Sequence, residues 1–180
     1  MAAGAGTAAA RIAILGAEST GKSTLAQALA ARLGTVWVPE YLREFVDTHG
    51  RVPREDDQLG IARTQRERER LLLPRARRVL ICDTTPLMTA VYSRIYWGRV
   101  PDALLALEAA HDYALTFVAG TDVPWVPDGL MRESEAVRQR VHEQLLAVLV
   151  QRGIPFVLLT GEQPERIRRV EAHLAAAGMT

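Results

Sequence analysis

Residues 16–24 read Gly-Ala-Glu-Ser-Thr-Gly-Lys-Ser-Thr. Gly16 and Gly21 free the backbone to turn tightly, so that successive N–H groups point inward at an anion. A helix opening at Lys22 adds its positive end to the same anion. Lys22 then reaches the β- and γ-phosphates of ATP, and the Ser23 hydroxyl falls where Mg²⁺ is held. Glu18, Ser19, Thr20 and Thr24 complete the loop around that nucleotide. The 22 basic residues of the chain are 21 arginines and one lysine, and that lysine is Lys22. At this composition the three other motif positions match by chance roughly 5 times in 10,000.

Three further sites carry residue types suited to phosphoryl transfer. Asp83 directly follows the apolar run Val79–Cys82, the arrangement in which a carboxylate orients Mg²⁺. The plainer alternative is a helix cap or Asx turn in Asp83-Thr-Thr-Pro86. Glu40, in Val38-Pro-Glu-Tyr-Leu-Arg43-Glu44, could face the γ-phosphate, where a kinase needs a carboxylate to accept or orient the attacking hydroxyl. Its alternative is a solvated helix face on which Glu40 and Glu44 pair with Arg43. Trp125-Val-Pro-Asp128-Gly129 occupies the position of a kinase lid. Beyond it Arg132, Arg138 and Arg140 could steady a transferring phosphoryl group. Tyr96 and Trp97, beside Gly98, suit stacking on an aromatic substrate ring or packing in a core.

These residues need a scaffold, and the hydrophobic pattern supplies one. Short apolar runs at Arg11–Leu15, Val36–Val38, Val79–Cys82, Ala114–Val118 and Phe156–Leu159 predict five strands. Helical spacing predicts helices over Lys22–Leu33, Glu55–Leu73, Pro86–Trp97, Pro101–Ala110, Ala136–Leu149 and from Pro164 onward. The expected fold class is α/β, a P-loop kinase-like three-layer fold: a five-stranded parallel sheet, helices on both faces, and a lid. Ligands of such sheets bind at the carboxyl ends of the strands. Gly16, Glu40, Asp83, Gly120 and Gly161 all fall there, and the second strand is expected to neighbour the nucleotide.

At 180 residues the chain suits one domain over 11–180, with Met1–Ala10 reading as a frayed tail. A net charge of +1 gives no field that would draw the molecule onto nucleic acid. One cysteine excludes disulfide frameworks, and no run of 18 uncharged apolar residues exists to span a membrane. A cytoplasmic protein is expected. The four histidines show no metal spacing. Arg63–Arg70, alternating Arg with Glu, reads as a salt-bridged solvated helix face, and Cys82 as a buried, inert thiol.

With these residues in view, the sequence resembles the ribosylnicotinamide kinase domain of the bifunctional NadR-type proteins of bacterial NAD synthesis. The likeness runs from Ile12 to about His173. It rests on Ile14-Leu-Gly-Ala-Glu-Ser-Thr-Gly-Lys-Ser23, Pro39-Glu-Tyr-Leu-Arg-Glu-Phe45, Gln65, Ile81-Cys-Asp-Thr84, Tyr96-Trp-Gly98 and Pro124-Trp-Val-Pro-Asp-Gly-Leu130. The resemblance implies transfer of the ATP γ-phosphate to the 5′-hydroxyl of nicotinamide riboside. It implies a small-molecule partner rather than nucleic acid or membrane. Glu40, Tyr41, Arg43, Tyr96, Trp97, Trp125 and Asp128 are then the expected substrate contacts. Two departures stand out: Met131 separates Asp128-Gly-Leu from Arg132, and the adenylyltransferase domain of the bifunctional proteins is not found before the kinase, so the expectation is either adenylylation elsewhere or a drift to another substrate. Competing readings are a P-loop kinase for another nucleoside or a vitamin, and a nucleotide sensor that transfers nothing. Glu40 beside an aromatic pair favours a kinase, since a sensor needs no base.

Overall fold

The computed structural model describes residues 9–127 and 134–180. Five strands form its sheet: β1 (Ala10–Leu15), β2 (Trp37–Val38), β3 (Val79–Asp83), β4 (Leu115–Ala119) and β5 (Val157–Leu159). Their order is β2-β3-β1-β4-β5, with every neighbouring pair parallel. Each strand lies within one residue of its sequence-predicted bounds.

Alternation along β1 explains the layers. Ile12 and Ile14 pack on one side of the sheet against Leu25, Ala26 and Leu29 of α1 (Lys22–Leu33) and Val170 and Leu174 of α7 (Gln163–Ala176). Ala13 and Leu15 point the other way, onto α4 (Pro86–Trp97) and α6 (Glu135–Gln151). A strand apolar on both faces is stable only between two helical layers. Each buried Leu or Ile there contributes about 1.5–3 kcal/mol. The α/β architecture with helices on both faces is therefore as expected.

Three findings concern the region around the site. β2 is the edge strand, with β3 between it and β1, a position the periodicity did not give; its carboxyl end still brings Glu40 within 3.4 Å of Lys22, as expected of a strand neighbouring the nucleotide. The segment after it, unassigned by the periodicity reading, is a helix, α2 (Tyr41–His49), held on by Phe45 and Val46 against Ile61. Finally, α3 (Gln58–Leu72) is not merely a solvated face. Arg70 pairs with Glu67 and Arg68 with Glu44 at the surface, but Gln65 and Glu69 are buried. Glu69 accepts from Tyr113 and Arg66, and burial pushes its carboxyl above the usual range despite those partners. Cys82 is buried and unpaired, its thiol pushed up by the same loss of solvent. The last helix between these, α5 (Asp102–Ala109), joins α4 through the Arg94–Glu108 ion pair.

Candidate active site

The loop from Gly16 to Gly21 has the backbone its sequence demands. A side chain at Gly16 would meet Thr20 Oγ1 at 2.8 Å and Ala119 Cβ at 3.2 Å, so only glycine lets the loop pass this close to β4. Gly21 takes φ 77 as it caps α1, the left-handed conformation that glycine adopts without strain. Two buried arginines hold the crest from below. Arg138 donates to the Ser19 carbonyl at 3.1 Å and to the Thr121 and Val123 carbonyls at 3.1 and 2.9 Å. Arg166 donates to the Thr20 carbonyl at 2.8 Å, to Gly161 O at 2.8 Å and to Asp122 at 2.8 Å. With the Ser19 and Thr20 carbonyls drawn onto these arginines, the N–H groups of Thr20 and Gly21, trans to them across planar peptides, point the opposite way. The pocket at this loop, about 500 Å³, is lined by Ser19–Leu25, Arg43, Glu162, Gln163, Arg166 and, from the segment after β4, Val123, Val126 and Pro127.

Lys22 is 7% exposed, and its Nζ lies 3.4 Å from Glu40 Oε2. Burial works against its charge, yet Glu40 and Asp83 together hold its pKa above the ordinary lysine value. Asp83 is 1% exposed and responds the other way. Burial, with Glu40 as a like charge nearby, pushes it up to about 6 against the pull of Lys22. Neither Asp83 oxygen makes a hydrogen bond among the described residues, though the Ser23 hydroxyl lies near enough to favour the charged form. Two unmet carboxylate oxygens beside a loop serine suit Mg²⁺, which takes one or two protein ligands and completes its shell with phosphate and water. Among the described residues no three acidic, histidine or cysteine side chains gather for a metal, so Ser23 and Asp83 would be the protein's share.

On the other side of Glu40 opens a second cavity of about 420 Å³. Its walls are apolar and aromatic, among them Leu42, Val52, Ile61, Met88, Tyr92, Tyr96 and Trp97, with Gln58, Gln65, Thr84 and Thr89 as the uncharged polar groups. Tyr92 and Tyr96 stack at 6.1 Å, and Tyr96 meets Trp97 edge-on at 5.8 Å. Glu40 thus sits at the partition, facing the phosphate-side lysine and the aromatic cavity at once. Gln65 fixes that partition. Its Oε1 accepts from Tyr41 N at 2.8 Å, while its amide donates to Pro39 O at 3.4 Å and Asp83 O at 3.3 Å. One buried side chain thereby ties the end of β2, which carries Glu40, to the end of β3, which carries Asp83.

The structure brings most of the sequence-predicted residues together and leaves some apart. Lys22, Ser23, Thr24, Ser19, Thr20, Gly21 and Arg43 line the phosphate pocket, and Glu40, Tyr96 and Trp97 line the cavity. Glu18 is buried in the loop. Tyr41 instead packs edge-on against Phe45 with Arg68 over its ring, and Trp125 lines neither space. Arg138 works here as a strut beneath the loop, and Arg140 is exposed. Asp128 and Arg132 lie outside the described residues. Unforeseen were Arg166, Gln163 and Glu162 at the phosphate pocket, and Thr84, Met88, Thr89 and Tyr92 at the cavity. Arg166 carried no signal among 21 arginines. Thr89 and Tyr92 read as ordinary helix, although their spacing with Tyr96 marks one face of α4.

Comparison with known proteins bears on the family and the fold. A model of the AAA domain family matches residues 11–166. The trifunctional NAD biosynthesis/regulator protein NadR of Salmonella typhimurium is 30% identical over 151 residues, 81% of this chain and 37% of that protein. The Escherichia coli NadR is 30% identical over 156 residues, 84% and 38% respectively. The chain thus spans less than two fifths of the curated relatives it matches. Among solved structures, NadR in complex with NR superposes with a TM-score of 0.76 at 23% identity, over 96% of this chain and 51% of that one. The deoxyadenosine kinase of M. mycoides follows at TM-score 0.67 and 12% identity, over 92% and 99%. The chain belongs to the AAA domain family, as a P-loop domain related to NadR.

Proposed function

We propose that this chain is an ATP-dependent small-molecule kinase that phosphorylates the 5′-hydroxyl of nicotinamide riboside, giving nicotinamide mononucleotide. The observation that carries the reading is Glu40, 3.4 Å from Lys22 and on the wall of a separate aromatic cavity. A sensor needs the phosphate pocket but has no use for a carboxylate between it and a second ligand-sized space. The 30% identity to NadR, an NAD biosynthesis protein, favours a riboside among possible acceptors.

In this mechanism the loop amides and Lys22 hold the phosphates, and positioning and electrostatics do most of the catalysis. The acceptor's ring lies among Tyr92, Tyr96 and Trp97, and its hydroxyl reaches the Glu40 carboxylate. Glu40 orients that hydroxyl and takes its proton as the oxygen bonds to the γ-phosphorus, while the bond from that phosphorus to the β–γ bridging oxygen breaks and ADP leaves. Mg²⁺ held by Ser23 and Asp83 would neutralise charge on the phosphates. Lys22, transferred from Glu40 to the phosphates when ATP binds, leaves Glu40 free to act.

The test is ADP release from ATP with nicotinamide riboside, nucleosides and vitamins offered side by side. Riboside-dependent turnover supports the proposal. Turnover with another acceptor keeps the kinase and changes its substrate, whereas ATP binding without any turnover leaves a sensor.

A further inference from the structure

Among the described residues three that are not glycine adopt a left-handed backbone: Ser19, Arg78 and Thr84. Ser19 belongs to the phosphate loop and Arg78 is an exposed residue leading into β3. Thr84, at φ 70, is the surprising one. A β-branched residue there is a true outlier, because its Cβ crowds the following carbonyl. Elsewhere the chain gives such turns to glycine, as at Gly34, Gly50, Gly98 and Gly153. Glycine would make this turn too, since the feature that fixes it is the Thr84 N–H bonded to Ile14 O at 2.9 Å, a backbone contact.

The side chain therefore needs its own reason. Thr84 is 7% exposed and lines the aromatic cavity that Glu40 also lines. No hydrogen bond of its hydroxyl is present among the described residues, yet unlike the neighbouring Thr85 Oγ1 it is not fully withdrawn from solvent. A hydroxyl that is unmet and still reachable is available to a ligand, and here that availability coincides with backbone strain. Strain of this kind collects where a ligand is gripped.

Resting on the kinase reading above, we infer that Thr84 is a specificity-determining residue whose hydroxyl engages a hydroxyl group of the acceptor beside Glu40. A threonine hydroxyl both donates and accepts, which matches a neutral alcohol. Glu40 only accepts when charged, so it cannot supply a donor to the same group. The pair would select an acceptor that carries a sugar or polyol hydroxyl at that point.

Thr84→Ser and Thr84→Ala differ by the hydroxyl alone and both tolerate the turn better than threonine. Using the full chain and whichever acceptor the wild type turns over, Thr84→Ser should keep the acceptor KM within about twofold. Thr84→Ala should raise it roughly 3- to 10-fold, the size of one neutral hydrogen bond, with the ATP KM unmoved. Thr84→Gly should melt no lower than wild type, because strain is relieved as the side chain is lost. Equal acceptor KM values for the serine and alanine variants would overturn the inference. So would a parallel rise in both KM values with a lowered Tm, the mark of a merely structural residue. A wild type that turns over no acceptor at all is a different failure, that of the kinase reading itself.

Discussion

Replacing Glu40 by Gln preserves shape and deletes the charge that faces both spaces. Oε2 of Glu40 lies 3.4 Å from Lys22 Nζ. Unit charges about 4 Å apart attract by roughly 4 kcal/mol at an effective dielectric near 20. On ATP binding the phosphates take over Lys22, so most of that attraction is exchanged rather than lost. What remains is the repulsion between Glu40 and the phosphates. Glu40→Gln should therefore bind ATP as tightly as wild type or more tightly, by up to about tenfold, or ~1.4 kcal/mol. The chemical step has no such substitute: losing a general base costs roughly 10²–10⁴-fold in rate, or about 3–5 kcal/mol of barrier. The assay pairs calorimetric titration of a non-hydrolysable ATP analogue with ADP release in the presence of nicotinamide riboside. A variant retaining more than half the wild-type kcat would mean that the proton goes elsewhere, with Asp83 the next carboxylate. An unchanged kcat with an ATP Kd raised tenfold would make Glu40 part of the phosphate site only.

Lys22→Ala should abolish turnover with the fold retained by circular dichroism, and Lys22→Arg should not rescue it, because a planar guanidinium does not replace a compact ammonium; near-normal activity in either would refute the loop's role. Asp83, raised by burial to about 6, holds a proton in the fold at pH values where the unfolded chain has already lost it. The fold therefore loses stability as pH rises from about 4 through 6, and Asp83→Asn should melt at or above wild type at pH 7, with the gap closing toward pH 5. In the same window protons compete for the metal site, so the Mg²⁺ concentration for half activity should climb below about pH 6; a requirement flat from pH 7 to 5 in wild type would remove Asp83 from the metal. Gln65→Leu strips three hydrogen bonds from the ends of β2 and β3. Each buried group left unmet costs about 1–3 kcal/mol, so calorimetry should show a Tm lower by several degrees, with kcat reduced more than the ATP KM.

Much of this was legible because local rules and the fold agree. The loop lies between a strand and a helix that its own glycines punctuate, and β1 announces its central place by being apolar on both faces. Glu40 and Asp83 were found because each directly follows an apolar run. The edge position of β2 was not legible, since strand order is decided by crossovers that leave no periodicity. Residues 41–49 did carry a helical stripe, Tyr41, Leu42, Phe45 and Val46, but the proline before it and the charges within it masked the pattern. Arg166 and Arg138 came from helices far along the chain to grip two adjacent carbonyls, and nothing in an arginine's neighbours reveals such a destination. Gln65 was noticed only by likeness; its three bonds join segments that the sequence keeps 18 and 26 residues away.

The lone lysine has a consequence outside catalysis. Acyl donors and other amine-directed electrophiles attack the unprotonated ε-amine, and arginine does not stand in for it. Such a reagent has a single lysine to find in this chain, Lys22, which lies 7% exposed beneath the phosphate site. Glu40 and Asp83 keep that amine protonated, and bound phosphates would cover it from above. Lysine acylation of this protein is therefore all or nothing: the described residues carry no second ε-amine to absorb the reagent, and one successful hit removes the cation proposed to hold the ATP phosphates.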